Sequence, residues 1–290
     1  MQDIMNLMPS QIKSVLGSDL PMSREEIEQQ KVDSYNAEEG NLHLKDGYEC
    51  PVCKNKGMVA KLEHSPLYGY GIEVLAKCKC QKARNALARL HRSGLGNVVK
   101  KYTFDKYQTP DEWQKHIKET AQRFCEVKER YCFFIGGQSG AGKTHICTAI
   151  ARHFIWQEME TRYMVWPQEI QGIQASVNDP ARYEAKMKEL KEADVLYIDD
   201  LFKNGKDERT GKMRTPSEPE VRRAFEIINY RYNDPDKITI ISSERTLFEL
   251  NDIDQALAGR IAEKTKEQGF CINLRPDFNK NWRMKGLMEL

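Results

Sequence analysis

The chain has 290 residues, 40% of them hydrophobic, and a formal net charge of +2. That is enough for one large domain or two modest ones, and the near-neutral charge excludes a uniformly basic nucleic-acid wrapper while permitting local patches. No apolar run approaches the roughly 20 residues of a membrane span, and Met1-Gln2-Asp3-Ile4 lacks the basic start of a signal peptide, so a cytoplasmic protein without membrane contact is expected.

Residues 1–45 read as an N-terminal helical segment. Ile4, Leu7, Met8, Ile12, Val15 and Leu16 share one helical face, Pro9 is placed to split it, and Gly17 to stop it. A second helix should start at Ser23, with Glu26 three residues on completing a capping box. Two short helices bury too little apolar surface to fold alone. They either dock on the rest of the chain or wait for a partner.

Residues 46–94 form a cysteine module followed by a basic helix. Cys50-Pro-Val-Cys53 and Cys78-Lys-Cys80 offer four soft thiolates, the donor set of a tetrahedral structural Zn²⁺ site. The second pair is tighter than usual, and His64 and His91 are possible substitute ligands. A redox reading of Cys50 and Cys53 would need a βαβ setting, which this stretch lacks. The helix runs from Lys82 to Arg92, with Arg84, Arg89 and Arg92 on its basic face, Leu87 and Leu90 inward, and Gly94 and Gly96 as its end. Cys125, Cys132, Cys147 and Cys271 lie in apolar segments and read as small buried hydrophobes.

Residues 95–110 read as a linker of turn and extended character. From 111 to 290 the pattern is α/β. Trp113, Ile117, Ala121, Phe124 and Val127 mark a helix. Tyr131 to Ile135 is a buried strand, and a helix runs from the next loop to about 159. Strands at 161–166, 193–199, 237–242 and 269–274 alternate with helices at 167–177, 180–192, 217–232 and across 246–264. Such alternation implies a parallel sheet flanked by helices.

Between the first of these strands and its helix stands Gly137-Gln138-Ser139-Gly140-Ala141-Gly142-Lys143-Thr144, a full GxxxxGK[ST] phosphate-binding loop. Backbone N–H groups and the helix N-terminus would cradle the phosphates of ATP. Lys143 should reach the β- and γ-phosphates, and Thr144 should hold Mg²⁺. Val195 to Asp200 is an apolar strand ending in two acids. Asp199 would complete the Mg²⁺ shell through water, and Asp200 would polarise the attacking water. A polar side chain after Ile240-Ile241, Ser243 or Glu244, would touch the γ-phosphate or its water, unless this is an ordinary strand end. Arg260 is either an arginine finger for a neighbour's γ-phosphate, which requires an oligomer, or a surface arginine.

On these residues the chain resembles the AAA+ ATPases of the DnaC/IstB group, helicase loaders and transposition helpers. The carrying residues are Tyr102-Thr-Phe104-Asp105, the Gly137–Thr144 loop, Asp199-Asp200, Phe225-Glu-Ile-Ile-Asn229-Tyr-Arg231-Tyr, Ile240-Ile-Ser-Ser-Glu244 and Gly259-Arg260. The cysteine module, the basic helix and Arg92-Ser93-Gly94-Leu95 resemble the phage and Gram-positive loaders. The resemblance implies an AAA+ core behind a small helical and zinc-binding N-terminal domain. It also implies ATP-dependent loading of a DnaB-type hexameric replicative helicase onto single-stranded DNA, with the N-terminal region on the helicase and self-assembly on helicase or DNA.

Two departures stand out. Asparagine is usual in the group where this chain has Ser243-Glu244. The loop from Lys203 to Arg214 is long and basic, suited either to tracking phosphates or to lying solvated. Aromatic and basic residues in 166–192 and 203–214 are the candidates for DNA contact. Competing readings are an IstB-like transposition helper, disfavoured by the cysteine module, a small-molecule P-loop kinase, which should show an arginine-rich lid, and a zinc-bearing adaptor with a vestigial site, which would not keep Lys143, Thr144 and Asp199 together.

Overall fold

The computed structural model describes residues 22–91, 96–128, 131–205, 209 and 213–284. The helix expected before Gly17, together with Arg92, Gly94 and most of the centre of the 203–214 loop, lies outside them. The chain divides into two compact units. One takes in residues up to Lys45 with Glu49–Cys78, the other Asp46–Tyr48 with everything from Lys79 onward.

In the first unit, helix α1 (Arg24–Ala37) begins where the capping box places it. Glu26 N–H donates to Ser23 Oγ (3.2 Å) and Ser23 N–H to Glu26 Oε2 (2.6 Å). Of the two fates open to it, α1 takes docking. After a short α2 (Leu42–Asp46), strands β1 (Met58–His64) and β2 (Gly71–Lys77) form an antiparallel hairpin in register from Met58↔Lys77 to His64↔Gly71. Asn36 on α1 exchanges two hydrogen bonds with the Ala60 backbone, at 2.9 and 3.0 Å, and Glu28 accepts from Glu73 N–H at 2.9 Å. No strands were expected here, because alternation is weak: β1 fully buries only Ala60 and exposes Lys61, Glu63 and His64.

The second unit opens with α3 (Cys80–Leu90), α4 (Gly96–Lys101) and α5 (Glu112–Glu126). Two expectations change. The basic helix, with Cys80 as its first residue, groups with this unit rather than with Cys50, Cys53 and Cys78, and its Arg84 is buried, donating to Asp46 Oδ2 and to Tyr48 O. The stretch read as a linker contains α4. Gly96 is there because a Cβ would collide with the His91 ring, not because it ends a helix.

The sheet is built from β3 (Cys132–Gly137), β4 (Thr161–Val165), β5 (Val195–Asp199), β6 (Ile238–Ser243) and β7 (Cys271–Leu274) in the order β4-β5-β6-β3-β7, every pair parallel. Helices α6 (Lys143–Trp156), α7 (Trp166–Gln174), α8 (Pro180–Glu192), α9 (Glu218–Tyr232), α10 (Leu247–Ile253) and α11 (Gln255–Lys266) flank it. Neighbouring residues of β3 face opposite ways, as a pleated strand requires. Phe133 meets Phe124 at 5.5 Å, while Phe134 joins Trp166, Leu196, Ile198, Ile227, Ile241 and Leu257 in the opposite cluster. Both faces are therefore dry, and the strands read as continuous apolar runs.

Buried Arg231 closes the end of α9. Its guanidinium donates to Thr239 Oγ1 (2.9 Å) and to the carbonyls of Leu190, Lys191, Ala193 and Ile238 (3.2, 3.0, 2.8 and 2.7 Å). It thereby satisfies carbonyls left without partners at the end of α8. Burial holds its pKa down to about 10. Of the four scattered cysteines, Cys125, Cys132 and Cys147 are buried and Cys271 is half-buried. No described helix is long and apolar enough to cross a membrane.

Candidate active site and metal centre

The loop leaving β3 turns through positive φ at Gly137 (104°), Gly140 (77°) and Gly142 (82°), and delivers the chain into the N-terminus of α6. A Cβ at Gly137 would strike Leu274 O, so the close approach of β7 alone demands glycine there. Lys143 is buried and donates from Nζ to Gly137 O (2.7 Å) and Gln138 O (2.8 Å). Burial pulls its pKa down, against the pull of Glu244 and Asp200.

Asp199 ends β5, two strands from β3 with β6 between. Its carboxylate is the meeting point of four hydroxyls. Oδ1 accepts from Tyr197 (2.8 Å), from Ser242 and more weakly from Thr144 (3.4 Å), and Oδ2 accepts from Tyr163 (2.9 Å). Burial and the adjacent Asp199 raise both tyrosines far above the ordinary phenol value, so they remain protonated donors. Thr144 and Asp199, expected to share Mg²⁺, do converge.

Asp200 sits at φ 58°, a left-handed conformation costly for a residue with a side chain. Its N–H donates to Ser242 Oγ (3.0 Å), and its Oδ2 accepts from Lys203 Nζ (2.9 Å), which also reaches Glu244 Oε1 (3.2 Å). Burial raises the Asp200 pKa against the pull of Lys203. Glu244 is held low, because Lys203, Lys143 and Ser139 together outweigh its burial.

The loop, Asp200, Lys203 and Glu244 line a cleft of about 340 Å³, closed by Tyr102, Tyr107, Trp282 and Arg283. Tyr102 stacks on His145 (4.6 Å, 14°), Tyr107 meets it edge-on (5.1 Å), and His145 Nε2 lies 2.9 Å from Thr103 O. This is where the Tyr102–Asp105 motif is used. Burial lowers the His145 pKa, favouring the neutral ring.

The remaining site candidates divide. Ser243 is fully buried and turned away, donating to Leu201 O (2.7 Å) and accepting from Arg245 N–H (3.0 Å), so Glu244 takes the place at the cleft. Ser242 is the serine that touches the acids. Arg260 packs on its own unit, giving Nε to Asn229 Oδ1 (2.6 Å) and lying 4.5 Å over the Phe225 ring. Among the DNA-contact candidates, Trp166 is core, Lys203 is spent on two carboxylates, and Tyr183 donates to Glu226 (2.8 Å), while Arg182 and Lys188 are exposed. Tyr163 and Tyr197 were missed. The two-residue step from Tyr197 to Asp199 carries a signal, since it puts both on one strand face. Nothing in the sequence pairs Tyr163 with them until the register of β4 is known.

The second constellation is the cysteine cluster. Cys50, Cys53, Cys78 and Cys80 are all buried, and their sulfurs lie within 4.8 Å of one another. The loop after Cys53 turns through positive φ at Lys54, Asn55 and Gly57, so that Gly57 N–H points at Cys53 Sγ (3.2 Å) and Cys50 N–H at Asn55 Oδ1 (2.8 Å). The Cys50–Cys78 sulfur separation, 3.8 Å, is too long for a disulfide. Tetrahedral Zn–S bonds of about 2.3 Å would set sulfurs about 3.8 Å apart, so the donor set fits Zn²⁺ in both chemistry and span.

A P-loop after β3, acids closing the strand beyond its neighbour β6 and an all-parallel sheet flanked by helices define an AAA+ ATPase domain. Residues 98–266 match the family described as the bacterial DnaA ATPase domain, and the chain belongs to that family. The phage-like element PBSX protein XkdC of Bacillus subtilis (strain 168) is 31% identical over 252 residues, covering 83% of this chain and 88% of that protein. Among solved structures, AMPPCP-bound DnaA from Aquifex aeolicus superposes with a TM-score of 0.47 at 19% identity, over 64% of this chain and 53% of that one. The chain thus spans about half the length of that DnaA. A DnaC helicase loader superposes with a TM-score of 0.48 at 20% identity, over 62% of this chain and 98% of that one.

Proposed function

We propose that this chain is an ATP-switched loader that places a DnaB-type hexameric replicative helicase on single-stranded DNA. It would grip the helicase through its N-terminal region and DNA through the AAA+ core. The observation that carries this reading is the presence, in one chain, of a complete P-loop and acid cleft beside a four-cysteine cluster. An IstB-like helper would account for the first but gives no reason for the second.

In the cleft, Lys143 would exchange the Gly137 and Gln138 carbonyls for phosphate oxygens, which a charge-assisted contact favours. Gly137, Gln138, Ser139, Gly140, Ala141 and Gly142 would supply the backbone cradle. Thr144 and Asp199 would hold Mg²⁺, which neutralises charge on the phosphate oxygens during transfer. Asp200 would polarise the attacking water once Lys203 yields, with Glu244 holding the far side of that lysine. Arg260 would complete a neighbouring copy's site only after leaving Asn229, which ties hydrolysis to self-assembly on helicase or DNA. Cys50, Cys53, Cys78 and Cys80 would hold Zn²⁺ structurally, since four protein ligands leave no open position.

The test is loading itself: host replicative helicase is mixed with a closed single-stranded DNA circle, with and without this chain and ATP. ATP-dependent transfer of the helicase onto the circle is expected. ATP-dependent assembly of the chain on DNA with no helicase transfer would support the transposition-helper reading instead.

A further inference from the structure

Tyr163 and Tyr197 are cross-strand partners in the β4–β5 register, so their side chains leave the sheet on one face, with rings 5.0 Å apart. Asp199, two residues beyond Tyr197, projects from the same face. The phenols approach the carboxylate from different sides, Tyr197 to Oδ1 and Tyr163 to Oδ2. Tyr197 is fully buried and Tyr163 nearly so. A buried tyrosine that needed only to pack would be served by phenylalanine, and a buried hydroxyl is tolerated only where it has a partner.

We infer that Tyr163 and Tyr197 are positioning residues for metal-assisted nucleotide binding, acting through Asp199. With Ser242 and Tyr197 on Oδ1, rotation of the carboxylate about its Cβ–Cγ bond would break hydrogen bonds on both oxygens. The carboxylate is therefore held in one plane before any cation arrives. Among the described residues Tyr163 is the one donor to Oδ2, which leaves that oxygen with acceptor capacity for Mg²⁺ or its water. Tyr163 also carries the influence of β4, a strand with no motif of its own, into the site. The inference rests on the ATPase reading and extends it to two residues outside the nucleotide motifs.

The experiment uses the full chain and the variants Tyr163→Phe, Tyr197→Phe and the double variant. Binding of a fluorescent ATP analogue is measured first in EDTA and then across a Mg²⁺ titration, with thermal midpoints recorded alongside. Loss of groups that orient a metal-binding carboxylate should raise the half-saturating Mg²⁺ by about 10-fold in the double variant and less in each single one, with affinity in EDTA unchanged within about twofold. A lowered thermal midpoint with unmoved Mg²⁺ half-saturation would reduce both tyrosines to packing and overturn the inference. Equal loss of affinity in EDTA and in Mg²⁺ would overturn it too, by showing a distorted loop. A wild-type chain that binds no nucleotide would remove the ATPase reading itself, an outcome distinct from both.

Discussion

In the ATPase unit every residue of β3, β5 and β6 is buried, whereas the hairpin of the cysteine unit fully buries only Ala60 and Gly71. The first kind of sheet is stabilised by apolar surface removed from water on both faces, and its helices are positioned by that core. The hairpin has little of that surface, and its α1 holds it through polar contacts of Asn36 and Glu28. What it has instead is the cysteine cluster, to which its unit contributes Cys50, Cys53 and Cys78. A module of that kind takes its folding free energy from a metal, and a core of the other kind does not need one.

The comparison breaks most visibly at Cys50. Cys50→Ser should release zinc, with a loss on the order of 10 kcal/mol in metal binding, and should open the first unit to hydrogen exchange while the second stays protected. Full zinc occupancy, read by elemental analysis, would contradict the four-cysteine site. Lys143→Ala should weaken ATP binding by about 100-fold or more without unfolding either unit, because it removes the charge proposed to meet the phosphates; fluorescence titration reads this directly. Asp200→Asn should keep nucleotide affinity and lower kcat by about 100- to 1,000-fold, the scale of a lost general base. Unchanged turnover would move the water-polarising role elsewhere.

Smaller effects sharpen the other half of the comparison. Arg231→Met should cost about 3 kcal/mol by stripping buried carbonyls of their charged donor, and should lower the thermal midpoint of the ATPase unit alone. Arg89→Ala removes a pair in which both partners are substantially exposed, Arg89 at 40% and Glu160 at 50%, and should change stability by less than about 1 kcal/mol.

What could be read in advance follows the same division. Apolar runs such as Phe133-Phe134-Ile135 and Val195-Leu196-Tyr197-Ile198 announce buried strands because neither face meets water. The P-loop and Asp199-Asp200 are local in sequence and were legible for that reason. The hairpin was not, since a strand whose outward residues are Lys61, Glu63 and His64 resembles a loop. What depends on register or on chain returning from afar was missed, as with Tyr163 beneath Asp199 and the cleft walls Trp282 and Arg283. Ser243 was misassigned because a strand end does not reveal which of two adjacent serines faces inward. Arg84 looked like surface charge until Asp46 appeared beside it.

The most direct measurement is a native mass spectrum of the full chain with the host's replicative helicase hexamer, recorded with and without ATP. A stoichiometric complex that carries zinc and changes its composition with ATP is the predicted result. A chain that leaves the hexamer bare in both conditions would contradict the loader account.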